Sequence, residues 1–372
     1  MGELIRARAA IVHDWFQGYH GAERTVEAMR SGLFAPGCEP DVFAFQAARE
    51  LLPPELANAI VGESPLSRLP GLRQRGHDPG RWRYLLPVMG RYFAGLDLDD
   101  YDLVISSSHA CAVGVRPRKD AMHVCYCYTP MRYAWMPETE AGRVDGLSGK
   151  ALGLLRGRLR RLDLAASRRP DAYVAISNAV RDRIKRFYGR DADVIHPPVA
   201  IDDFRADEQK EPGRFLWAGR LVAYKRPELV VEAFRGSPHR LTMVGIGPLA
   251  DRLLETLPPN VELRGWVPRA ELVELYEGAS GFVHVGEEDF GIAMVEALAS
   301  GTPVVALDAG GARDIVRQGV DGVLIQTAEV ESLRAALDDV ATRTWDPTAL
   351  RARATEFSEE RFLVRMRALL AA

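Results

Sequence analysis

Apolar and polar positions along this chain alternate between two rhythms. Short runs rich in β-branched and aromatic residues read as strands, and the longer runs between them have helical spacing. In the first half the strands are AAIVHD (9–14), DVFAF (41–45), DLVISSS (102–108), MHVCYCY (122–128), AYVAIS (172–177) and DVIHPP (193–198). Helices are predicted from about Glu23, over 148–168, and from a capping Asn178 to about Tyr188. A second series begins near 214, with strands at 214–219, 240–245, 261–265, 281–285, 303–307 and 322–325. Helices near 226–235, 248–256, 269–278, 291–299 and 311–317 separate them, and the chain ends in helices at about 329–342, 347–353 and 357–370. Such alternation predicts parallel sheets with right-handed crossovers.

Residues 197–214 (PPVAIDDFRADEQKEPGR) are polar, bounded by proline and aperiodic, and mark a linker. The prediction is therefore an α/β protein of two Rossmann-like domains facing an interdomain cleft: 1–200, 201–356, and a C-terminal helix over 357–372 that crosses back to the first domain. Residues 60–95, rich in Pro, Gly and Arg, predict helical pieces but no topology.

The densest chemistry lies in GEEDFGIAMVEALASGTPVVA (286–306). GFVHV before it reads as a buried parallel strand, and IAMVEALA after it as a helix ended by Gly301. Glu288 then falls in the strand-to-helix loop at the carboxyl edge of the sheet, where ligands bind in doubly wound folds. Glu296 falls one to two turns into the helix. Two carboxylates beside a helix N-terminus, which favours anions, suit a polyhydroxylated ligand that also carries phosphate. A nucleotide sugar fits.

With 372 residues, 47% hydrophobic and 27% charged, the chain has the bulk of a soluble two-domain protein. Its N-terminus carries no leader pattern and no apolar run reaches spanning length, so a cytoplasmic location is expected. Cys38, Cys111, Cys125 and Cys127 read as reduced thiols. The net charge of −3 is uneven: residues 1–200 hold 28 Lys/Arg against 23 Asp/Glu, and the rest 20 against 28. Eight basic residues (Arg143, Lys150, Arg156, Arg158, Arg160, Arg161, Arg168 and Arg169) crowd 143–169 among leucines, a basic amphipathic helix. It reads equally as a solvated face and as a peripheral contact with an anionic membrane at the inner face of the plasma membrane. No aromatic-interleaved basic motif points to nucleic acid.

Five elements carry a family likeness: WAGRLVAYKRPE (217–228), VGIGP (244–248), LRGWVP (263–268), EDFGIAMVE (288–296) and SGTPVVALDAGGARDIV (300–316). In order and spacing the second half resembles retaining glycosyltransferases of family four, which have the GT-B fold. VHDWFQGYHGAERTVEAM, ISSSHACAVGV, CYCYTPMRYAW and VAISNAVRDRI extend the likeness to the first half, and TPMRYAW is similar to bacterial polysaccharide mannosyltransferases that use GDP-mannose.

The resemblance implies that Arg220 and Lys225 contact the donor diphosphate, where fixed cations stabilise the charge of the departing phosphate. It implies that Glu296 accepts from the ribose diol and Glu288 from hydroxyls of the donor sugar. Backbone amides of Phe290, Gly291 and Ile292 join them, and Trp266 and Val267 lie near the base, although Trp266 reads nearly as well as a core aromatic. In the first half Gly18 and Gly21 would let backbone approach phosphate, with His20 standing where the family has a glycine.

Tyr128 is the sharpest departure. Relatives place a His before Thr-Pro, and a tyrosine keeps one hydrogen bond but not a positive charge. His109 and Arg132 complete the candidates. The expected reaction is a retaining, metal-free hexosyl transfer to a saccharide or lipid-linked acceptor, with no cofactor. Alternatives are a UDP-sugar enzyme acting on a small acceptor, a nucleotide-sugar epimerase, and a catalytically silent nucleotide-sugar-binding module. A dinucleotide-binding Rossmann protein is disfavoured, since no GxGxxG follows the first strand.

Overall fold

The computed structural model describes residues 3–69, 85–136, 147–206 and 210–371. It separates into two compact units, Met1–Pro198 with Phe362–Ala372, and Val199–Arg361.

The first unit is built on β1 (Ala9–His13), β2 (Asp41–Ala44), β3 (Ile60–Glu63), β4 (Leu103–Ser108), β5 (Met122–Cys127), β6 (Ala172–Ala175) and β7 (Asp193–Val194), interleaved with α1 (Gly21–Leu33), α2 (Pro54–Ala59), α3 (Leu86–Ala94), α4 (Arg132–Trp135), α5 (Leu147–Ala166) and α6 (Asn178–Tyr188). All strands pair in parallel, in the order β3-β2-β1-β4-β5-β6-β7. Ile11, Val12, Val104, Ile105 and Val124 are fully buried, as continuous apolar strands between helical layers should be. The order reverses between β1 and β4, and the loops leaving those two strands flank the crevice that such a reversal opens.

Two sequence expectations are corrected here. Residues 60–95, given no topology, supply the edge strand β3 and helix α3. The cap of α6 is Ser177, whose Oγ accepts from the Val180 amide at 3.2 Å, and Asn178 is the first helical residue. The last helix, α14 (Glu359–Leu370), gives residues 362–372 to the first unit. There Phe362 and Met366 are buried, and the Phe362 ring stands edge-on to Tyr126 at 5.8 Å. Arg367 donates to the Gly32 carbonyl.

The basic segment is corrected only in part. Residues 143–146, with Arg143, lie outside the described residues, as do the side chains of 147–155 with Lys150. Arg158, Arg161 and Arg168 are exposed with Leu162. Arg160 and Arg169 are instead tied to the Ala134 and Gly114 carbonyls. Among the described residues no helix is long and apolar enough to cross a membrane. All four cysteines are free thiols.

The second unit holds β8 (Glu211–Ala218), β9 (Arg240–Val244), β10 (Val261–Leu263), β11 (Ala279–His284), β12 (Val304–Leu307) and β13 (Gly322–Ile325), with helices α7 (Pro227–Phe234), α8 (Ala250–Leu254), α9 (Arg269–Gly278), α10 (Ile292–Ala299), α11 (Ala312–Ile315), α12 (Val330–Thr342) and α13 (Pro347–Thr355). The parallel order is β10-β9-β8-β11-β12-β13, reversing between β8 and β11. Phe215, Trp217, Phe234 and Val283 fill its core. The expected linker over 197–214 is shorter than its composition suggested, because β8 begins at Glu211 and pairs with β11.

Candidate functional site

In the second unit the loops leaving β8 and β11 bring Lys225 and Glu288 together. Lys225 Nζ lies 2.7 Å from Glu288 Oε1, and both side chains are 15% exposed. His284, the last residue of β11, places Nε2 3.2 Å from the same oxygen. Burial works to raise the Glu288 pKa, but the Lys225 ammonium and then the His284 ring outweigh it. The carboxyl is held well below the usual range and stays ionised. Arg220, in the same loop as Lys225, is exposed. That loop ends in a local oddity: Arg226, next to Lys225, has φ +52°, the one positive φ among the described non-glycine residues. Left-handed backbone at a non-glycine is held in place by its surroundings, here at a candidate binding loop.

Two glycines make the pairing possible. A Cβ on Gly286 would lie 2.7 Å from Lys225 Cα and 3.0 Å from the Tyr224 carbonyl, so only glycine lets the two loops close. Gly291, which caps α10, has φ +108°, a conformation that favours glycine. It aims the start of α10, with Phe290 buried and Gly291 and Ile292 half-buried.

Glu296 sits on α10 and is 8% exposed, so it is no helix-surface residue. Its Oε1 takes Arg269 at 2.6 Å, and its Oε2 accepts from the Tyr276 hydroxyl at 3.2 Å. Burial and then Glu296 push the Tyr276 pKa well up, which keeps that hydroxyl a donor. Arg269 is shared with Asp203 at 3.0 Å and lies 4.7 Å above the Phe204 ring. Val267 is buried, but Trp266 is 70% exposed, which rules out the core-aromatic reading.

The structure thus joins Lys225 with Glu288, and gives Glu296 a partner set of its own. Sequence reasoning missed His284, Arg269 and Tyr276. A histidine inside the apolar strand GFVHV was a readable signal, whereas Arg269 and Tyr276 lie 27 and 20 residues from Glu296, with no local mark.

The first unit has its own reversal point. Asp14, at the end of β1, is fully buried, and its carboxylate accepts four successive backbone N–H groups. Oδ2 takes His109 at 2.6 Å and Ala110 at 2.8 Å, and Oδ1 takes Cys111 at 2.6 Å and Ala112 at 2.7 Å. This concave run of amides is the kind of nest that binds anions, and the protein's own carboxylate fills it. His109 Nδ1 lies 3.5 Å from Asp14, and its ring stands edge-on to Trp15 at 4.3 Å.

Tyr128 donates to the Ala22 carbonyl at 3.1 Å and lies 3.0 Å from Ser107 Oγ. Ser107 in turn meets His13 Nδ1 at 3.0 Å. Burial, and then His109, lower the His13 pKa to about 3, so its ring is neutral. Burial also drives the Tyr128 phenol well above its ordinary range. Gly21 opens α1, and Glu23 closes its first turn by accepting from the His20 amide at 3.0 Å. Gly18 is pressed by the His20 ring, whose Nε2 would lie 2.7 Å from a Cβ there. Arg132, at the start of α4, is half-buried.

Comparison with known proteins gives the family. The profile "Glycosyltransferase Family 4" matches residues 19–203, and "Glycosyl transferases group 1" matches 200–361. A "GDP-mannose-dependent alpha-mannosyltransferase" of Mycolicibacterium smegmatis is 35% identical over 176 residues, 45% of this chain and 45% of that protein. A "D-inositol 3-phosphate glycosyltransferase" of Xylanimonas cellulosilytica is 32% identical over 42% of this chain and 45% of its own length. In these two alignments the chain therefore spans about half the relative. A "D-inositol 3-phosphate glycosyltransferase 1" of Catenulispora acidiphila is 27% identical over 86% of this chain and 82% of its own. Among solved structures, the Anabaena protein HepE in complex with UDP superposes with a TM-score of 0.70 at 17% identity, covering 98% of this chain and 99% of that one. The chain belongs to the glycosyltransferases, with a Family 4 domain followed by a group 1 domain in the GT-B fold.

Proposed function

We propose that this chain is a retaining hexosyltransferase that moves mannose from GDP-mannose to a saccharide or lipid-linked acceptor. The observation that carries this is the ionised Glu288 held by Lys225 at the reversal point of the second sheet. There Glu288 accepts from hydroxyls of the donor sugar, while Lys225 and Arg220 take the diphosphate. Glu296, oriented by Arg269 and Tyr276, accepts from the ribose, with Val267, Phe290, Gly291 and Ile292 lining the nucleotide. The first unit takes the acceptor, with Arg132 as a contact for sugar or acceptor, while Gly18 and Gly21 let backbone approach phosphate and Tyr128, with His109 near it, meets a sugar hydroxyl. The bond from the sugar's anomeric carbon to phosphate breaks as the acceptor oxygen attacks the same face, and the acceptor proton passes to the departing phosphate oxygen. No metal or cofactor takes part, since fixed cations supply the charge stabilisation. The donor assignment is supported by the mannosyltransferase relative and by the TPMRYAW run. The exposed Arg158, Arg161 and Arg168 of α5 would rest on an anionic membrane at its cytoplasmic face.

A second reading is favoured by the alignment that spans 86% of the chain, to a protein named for an inositol phosphate. In that reading a UDP-sugar is transferred to a small acceptor. Thermal shift and turnover with GDP-mannose, UDP-glucose, GDP and UDP separate the two. Stabilisation by UDP but not GDP rejects the mannosyl donor.

A further inference from the structure

Lys225 cannot serve two anions equally. Its ammonium lies 2.7 Å from Glu288, yet the proposed reaction requires it on the donor diphosphate. A buried carboxylate that lost its cation would be costly to keep charged. His284 is the other group on that oxygen, and nothing assigned so far uses it. It is 2% exposed, and neither ring nitrogen makes a well-formed hydrogen bond, although Nε2 stands within ion-pair distance of Glu288 Oε1 at 3.2 Å. Its ring lies parallel to Phe282, 6.5 Å away and 4° off plane. The side chain thus ends an apolar strand with its one polar contact on Glu288. Oε1 is buried, so the exposure that Glu288 keeps lies on its other atoms, which can face a ligand.

We infer that His284 is a positioning residue: it holds Oε1 of Glu288 from the sheet side when Lys225 turns to the diphosphate, leaving the rest of the carboxylate to receive a sugar hydroxyl. This rests on the reading of Glu288 as the sugar-binding carboxylate. Lys225 and His284 are the titratable groups with the largest effect on Glu288, and Glu287 beside it also acts on Arg313. Removing His284 takes away one of the two groups that keep Glu288 ionised while burial still opposes charge. The defect should therefore be larger in acid and smaller in base.

The test is calorimetric binding by the full chain of GDP-mannose against GDP, and of UDP-glucose against UDP, at about pH 6 and about pH 8. The gain in affinity that the sugar adds is the readout, and the bare nucleotide is the internal control. In His284→Phe the gain should fall about tenfold at the lower pH and partly return at the higher. His284→Gln, whose amide can still donate to Oε1, should keep it within about threefold. A structural role would instead weaken nucleotide and sugar nucleotide alike at both pH values, and that result overturns the inference. Should the Phe variant fail to fold, His284→Asn, with an amide too short to reach Oε1, gives the same comparison. Glu288→Ala separates the two levels. If it loses the gain while His284→Phe keeps it, only this inference fails, and if Glu288→Ala itself keeps the gain, the underlying reading falls and this one with it.

Discussion

The two units solve the same topological problem in opposite ways. Each parallel sheet reverses its strand order once, between β1 and β4 in the first and between β8 and β11 in the second. Each reversal carries a carboxylate at the end of a strand or in the loop after it. In the first unit Asp14 is spent on the protein itself, saturated by four backbone amides. In the second, Glu288 meets Lys225 and His284 and keeps 15% exposure. A carboxylate filled by backbone amides sets loop geometry, whereas one balanced by a side-chain ammonium can exchange that partner for a ligand. Position at a reversal point therefore does not by itself make a carboxylate a binding group; its partners decide.

The contrast is testable by breaking each side. The largest expected effect on stability is Asp14→Ala, which strands four buried N–H groups and should cost on the order of 4 kcal/mol, read as a fall in the urea midpoint. Lys225→Met should act mainly on turnover, which should fall roughly a hundredfold, and should also lower the urea midpoint because the buried Glu288 carboxylate loses its cation. If Asp14→Ala unfolded at the wild-type midpoint, or Lys225→Met kept full turnover, the distinction between the two sites would fail.

Glu296→Gln should cost only about 1–2 kcal/mol, less than a typical broken buried pair, because Arg269 retains Asp203. Its nucleotide affinity, by calorimetry, should fall about tenfold. Tyr128→Phe should cost about 1 kcal/mol by removing the hydroxyl bonded at Ala22 and Ser107, seen as a small drop in Tm.

The smallest effect is a slope. Burial lifts the Glu23 pKa from 4.5 to about 7, against the opposing amides of its own residue and His20. A raised carboxyl pKa means folding favours the protonated form, so this contribution is fully present below the unfolded value. It is lost as pH rises from 4.5 to about 7. Glu23→Gln should flatten stability over that window, as chemical denaturation at a series of pH values would record.

Most of the architecture was legible because a buried parallel strand must be apolar and its crossover helix must be amphipathic, and both leave local marks. GFVHV, RFLWAG and PVVAL could hardly be anything else. The edge strand β3 was not legible: an edge needs only one row of partners, and Ile60–Glu63 carries no strong pattern. The pairing of Lys225 with Glu288 was not legible: the sequence put both at one sheet edge but gave Lys225 to the diphosphate and Glu288 to the sugar. The partners of Glu296 did not, since Arg269 and Tyr276 reach it from another helix. The nest around Asp14 is assembled from residues 95 to 98 positions away.

The amino-acid order alone determined the two alternating series, the glycines that allow close loops, and the residue types at each strand end, because those depend on local period and backbone freedom. Only the tertiary structure decided which carboxylate is consumed internally and which remains available, because that depends on strand register and on what desolvated neighbours lie within 3 Å or so of an oxygen atom.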